Sequence, residues 1–148
     1  EMAYEINLKL PNGWKITSDS YTDESGARIS HVEAVLPASR QGVNKALVNV
    51  YAGPMPDGET AEDQAWANYA ETVGFDEHDQ EESPIIKFEF NNKPAWGFDA
   101  ITEEECPMRF LAQEVRKGVL AIIVFYADTE DILNETFSLL ERSLRISL

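Results

Sequence analysis

The alternation of apolar and polar residues divides the chain into short β-type runs and two helical ones. Residues 4–10 set Tyr4, Ile6, Leu8 and Leu10 against Glu5, Asn7 and Lys9, the period-two pattern of a half-buried strand, and Pro11-Asn12-Gly13 then turns the chain. Residues 29–36 and 46–51 are rich in β-branched side chains, and the polar stretch 39–44 between them predicts a hairpin. Residues 60–73 read as a helix: Thr60 caps it, Glu62 and Asp63 suit the positive end of its dipole, and Gly74 suits its exit. Its apolar stripe would be Ala61, Ala65, Trp66, Tyr69, Ala70 and Val73.

Four further strands follow at 85–90, 95–102, 108–115 and 119–127, joined by turns at Asn91-Asn92-Lys93, 103–107 and Arg116-Lys117-Gly118, so an antiparallel meander is expected. Asp128 or Thr129 would then cap a second helix that turns Ile132, Leu133, Thr136, Phe137, Leu140 and Leu144 to the core. The strand at 119–127 differs from the others. Val119, Leu120, Ala121, Ile122, Ile123, Val124, Phe125 and Tyr126 show no alternation, so both faces of this strand need cover. A strand with one wet face would alternate, which places this one centrally, with helices on both sides or with a partner, or a second copy of the chain, on one of them.

Composition narrows the class. A chain of 148 residues, 43% hydrophobic and 26% charged, is globular and fits a single α+β domain over 1–148, an antiparallel sheet flanked by helices. The net charge of −15, from 12 Lys and Arg against 27 Asp and Glu, repels polyanions and argues against nucleic acid. No apolar run approaches the ~20 residues of a spanning helix, so no membrane insertion is expected. Cys106 is the single cysteine, which excludes an intramolecular disulfide. The first residues lack a charged and apolar leader pattern, which leaves cytoplasm, or export with removal of a signal peptide, as alternatives.

The order of elements, with the entry Leu10-Pro11-Asn12-Gly13-Trp14 and the end Ser143-Leu144-Arg145-Ile146, resembles the PsbP-like fold family. That family includes the extrinsic photosystem II subunit, a Ran-binding nuclear transport factor and bacterial proteins of unknown role, some of them chaperones for secreted effectors. The resemblance implies an α/β/α sandwich that binds a protein or peptide without catalysis. It carries no catalytic residues over to this chain.

The chemistry-bearing residues form no recognised catalytic pattern. Residues 76–82, Asp-Glu-His-Asp-Gln-Glu-Glu, are dense in acids, but a calcium loop needs alternating ligands and an internal glycine, so a solvated loop is the simpler reading. His31, His78 and Cys106 lie too far apart for paired zinc ligands, so neither a metal nor another cofactor is expected. Glu103, Glu104 and Glu105 disfavour a thiolate at Cys106, and there is no serine elbow, phosphate loop or dinucleotide fingerprint. Paired carboxylates abound, and a small-ligand binder or an enzyme using carboxylates in a surface cleft is the alternative reading. Trp66 belongs to the helical stripe and is expected in the core. Trp96 and Phe98 alternate along one strand face, and together with Trp14, after the first turn, they are the candidate binding residues, with Tyr51 and Tyr126 as further aromatic candidates. The competing role for all of these is core packing, with Trp14 plugging the end of the sheet.

Overall fold

The computed structural model describes residues 4–38, 44–74 and 83–147. The acidic loop 76–82 with His78, and most of the stretch 39–44, lie outside the described residues. The strands are β1 (Glu5–Asn7), β2 (Lys15–Thr22), β3 (Arg28–Pro37), β4 (Asn44–Pro54), β5 (Ile86–Phe90), β6 (Lys93–Ile101), β7 (Pro107–Arg116), β8 (Val119–Ala127) and β9 (Arg145–Ser147). The helices are α1 (Ala61–Thr72), between β4 and β5, and α2 (Glu130–Ser143), between β8 and β9.

Seven strands form one antiparallel sheet in the order β2-β3-β4-β8-β7-β6-β5, and β1 pairs with β9 in a separate ribbon. Two meanders, β2 to β4 and β5 to β8, thus meet at the β4–β8 pair, and the fold is α+β. The expected strand at 119–127 is β8, fourth of the seven. The hairpin of residues 29–36 and 46–51 is β3–β4, each strand longer than its apolar pattern.

Two elements differ from expectation. β2 is exposed at every position, so it has no apolar rhythm to betray it, and its strand conformation comes from the ladder to β3. The residue pattern at 4–10 shortens to β1, whose partner β9 is a three-residue strand just past α2. Both helices begin as expected. Thr60 and Asp63 form a reciprocal capping box at α1, and Thr129 accepts from the Ile132 amide at α2. The α1 stripe is shorter than predicted: Ala61 and Ala65 are buried, Trp66 and Tyr69 half-buried, while Ala70 and Val73 face solvent.

Period-two geometry gives each strand a residue on either face in turn. On one face Val48, Val50, Leu111, Ile123 and Phe125 pack against Leu133, Leu140 and Leu144 of α2 and its exit. The terminal segments complete that cover, with Ile6, Leu8, Leu10, Trp14 and Ile146 against the same cluster. At the β5–β7 side, Arg109 holds Asp99 through two bonds of 2.7 and 3.1 Å, its guanidinium 4.9 Å from the rings of Phe88 and Phe137.

On the opposite face Phe98, Met108, Phe110, Ala112 and Leu120 pack against Ala61 and Ala65 of α1. Phe98 stacks on Phe110 at 5.4 Å and meets the edge of Tyr69 at 5.3 Å. Between β6 and β7 the backbones come unusually close at Gly97, where a methyl group would run into the Phe110 carbonyl. The obstacle is backbone and cannot swing aside, so Gly97→Ala should lower stability by about 3 kcal/mol or more, read as the shift of a urea unfolding curve.

Candidate functional site

The two faces are not covered alike, and the reason is width. Seven strands at ~4.8 Å spacing span roughly 29 Å, whereas a helix is only ~10 Å across and roofs about two strands. On the α2 face the terminal ribbon makes up the difference. On the other face α1 sits over β6 and β7, and no second element packs over β2, β3 and β4 among the described residues. Ala61 and Ala65 let α1 settle closely on the aromatic pair beneath it. Its flank toward the open strands carries Gln64 and Asn68, which are polar and half-buried.

A groove of about 430 Å³ lies between that flank and the open strands. Its floor is Tyr51 and Gly53 of β4 with Leu120, Ile122 and Val124 of β8, and its outer wall is Tyr21 of β2 and Ile29 of β3. Register explains the floor: Tyr51 lies opposite Ile122, and Asn49 opposite Val124, so one side chain from each strand points the same way at every second step. Gly53 makes the end of the floor shallow enough for Ile29, whose Cδ1 would be 2.5 Å from a methyl group placed there. Tyr21 is 42% exposed. Ile122 and Val124 are only half-buried in the middle of the sheet, although a strand apolar on both faces calls for cover on both.

Beside the groove a polar row crosses the same face. His31 Nδ1 is 2.8 Å from Asp19 Oδ1 and its Nε2 is 2.7 Å from Asn49 Oδ1, while the ring stacks on Tyr51 at 4.7 Å. Nδ1–H donates to the carboxylate; Nε2 either donates to the Asn49 carbonyl or, with that amide turned over, accepts from it. Both nitrogens are engaged, so the ring braces β2, β3 and β4 and leaves no nitrogen to take a substrate proton. Cys106 lies in the β6–β7 turn, where its thiol donates to the Glu104 carbonyl at 3.7 Å, beside a separate cavity of about 320 Å³ lined also by Leu47 and Tyr126. Among the described residues no cluster of His, Cys, Asp and Glu could hold a metal ion, and no helix is long and apolar enough to cross a membrane.

The candidate binding residues are not brought together. Trp14 packs half-buried against the α2-face core, whereas Phe98, 0% exposed, and Trp96 belong to the α1 face. Trp96 is half-buried beneath the ammonium of Lys87 at 5.5 Å, on the far side of α1 from the groove. The groove residues Tyr21, Ile29 and Gln64 were not singled out by sequence; the available signal was the missing alternation of β8, which required cover on a face that α1 only partly roofs. No protein family, curated protein or solved structure matches the chain.

Tyr51 reports on the electrostatics of the groove. Burial first, then the charges of Tyr21, Tyr126, Glu33 and Asp19, push its phenol above the ordinary tyrosine value. A raised phenol stays neutral in the folded protein, so its contribution to stability is intact below the unfolded value of about 10 and is lost as pH rises through the higher folded value. An alkaline titration followed by tyrosinate absorbance should show a late-ionising phenol, and Tyr51→Phe should remove it.

Proposed function

We propose that this chain is a non-catalytic binding module, an α/β/α sandwich of the PsbP-like kind, that takes a protein or peptide segment into the groove between α1 and the β4–β8 pair. The observation that carries the reading is the half-buried apolar floor. β8 has the composition of a strand buried on both sides, yet Ile122 and Val124, at the margin of the α1 cluster, stay half-buried along the groove. An apolar surface of this kind, rimmed by polar groups, marks a site where something else completes the burial.

Two further observations support binding over catalysis. His31, stacked on the floor residue Tyr51, has both nitrogens engaged. The thiol of Cys106 opens on a different cavity, lined by β4 and β8 residues and the β6–β7 turn, with no histidine in its lining. The adjacent edge of β2 adds a second mode of engagement, since its outer backbone groups are open to an added strand.

Peptides selected from a random library on the immobilised protein should slow amide exchange at Tyr51, Ile122 and Val124. They should also cross-link to a photoreactive residue placed at position 21 but not to one at Asn134 on α2. Selected peptides that protect the α2 face instead, or that are cleaved or modified by the protein, would overturn the proposal.

A further inference from the structure

Asp23 is the single charged residue lining the groove among the described residues, and no cation lines it. The surroundings extend the same sign. Asp19 and Glu33 lie on the groove's face of β2 and β3, since Asp19 pairs with His31 and Glu33 with Thr17. On the helix side, Glu59 accepts a 2.6 Å bond from Gln64, and Glu71 falls three residues after Asn68, on the same flank of α1. The opposing charges are fewer and more distant. Arg28, next to Ile29 on β3, turns to the other face of the sheet and donates to the Ser20 hydroxyl at 2.9 Å, Lys15 is at the far end of β2, and Arg116 and Lys117 share the β7–β8 turn with Glu114, which binds the Gly118 amide there.

Asp23 is also held in its ionised form. The Ser25 hydroxyl donates to it at 2.7 Å and the amides of Ala27 and Ser25 at 2.9 Å, and these bonds, the hydroxyl's first, keep its carboxyl below the usual value. At the floor, Tyr51 has its phenol raised first by burial, then by Tyr21 and Tyr126, with Glu33 and Asp19 adding to the same direction. With a chain charge of −15 behind it, the groove attracts cations and repels a second copy of the chain.

We infer that the occupant of the groove is a cationic peptide segment, with one or two apolar side chains seated between Tyr51, Ile122 and Val124 and flanking Lys or Arg residues set against Asp23, Glu59 and Glu71. This rests on the binding-module reading above and names its partner. Shape agrees with charge: about 430 Å³ is near the small end of ligand sites, room for a few side chains and not for a folded surface. Tyr21 and Tyr51 line the groove as aromatic partners for an entering Lys or Arg, one face of Tyr51 being held by His31.

The test is fluorescence anisotropy with three labelled peptides that share the same apolar residues and are flanked by Lys and Arg, by Ser and Gln, or by Asp and Glu. The cationic peptide should bind about tenfold tighter than the neutral one and the acidic one least, with the advantage shrinking between about 50 and about 300 mM salt. Glu59→Lys with Glu71→Lys should weaken the cationic peptide about tenfold, whereas the same reversal at Glu103 and Glu135, exposed and away from the groove, should leave most of the binding. Thermal melts of both double variants check that each remains folded. Equal binding of cationic and neutral peptides would overturn the charge inference and leave the groove standing. Equal loss from the two double variants would assign the attraction to the overall charge and also overturn the inference. Failure of all three peptides to bind would remove both readings.

Discussion

The structure depends on covering β8 from both sides. Val119, Ala121, Ile123, Phe125 and Ala127 face α2, and Leu120, Ile122, Val124 and Tyr126 face the α1 side, so this one strand presents apolar surface in both directions. Burial is worth roughly 25 cal/mol per Å² of apolar area, and a strand of nine such residues cannot be left at an edge. The central place of β8, the meeting of two meanders at its β4 side, and the distribution of helices to opposite faces all follow from that demand.

The demand is met unequally. On the α2 face a helix and a terminal ribbon share the work, and Leu133, Leu140 and Leu144 close a continuous core with Phe90 and Phe125. On the other face a single helix with a small-residue stripe, Ala61 and Ala65, sits low over Phe98 and Phe110 and stops there. Its polar flank meets the sheet at Gln64 and Asn68 instead of continuing as apolar contact. The groove is the remainder of a roof one helix wide laid over a sheet seven strands wide.

Much of the fold was legible because burial writes a rhythm into sequence. β3, β4, the meander β5 to β8 and both helices carry it, and Thr60 and Thr129 mark the helix starts by cap chemistry. β2 carried none, since a strand exposed at all eight positions is specified by hydrogen bonds to β3, which no residue pattern reports. The pairing of β1 with β9 joins the two ends of the chain and is equally silent in a local window. The groove was half legible: the missing alternation of β8 announced that its second face required cover. Where that cover stopped depended on where α1 settled and on the register that sets Tyr51 beside Ile122. Of the aromatic residues that stood out by type, Phe98 was drawn wholly into packing and Trp14 and Trp96 in part, Tyr51 came to the groove floor, and the exposed ring of Tyr21 sat on the strand with no pattern.

The bareness of β2 has a mechanical meaning for the wall it provides. A strand that buries no side chain is held by its ladder, by the hairpin turn around Asp23 and by the His31 brace to Asp19, and such an element opens at lower free energy than the core strands behind it. The floor of the groove is therefore rigid and its outer wall compliant, like a jaw with one fixed and one sprung side. A segment seated there as proposed would meet resistance at β8 and give at β2.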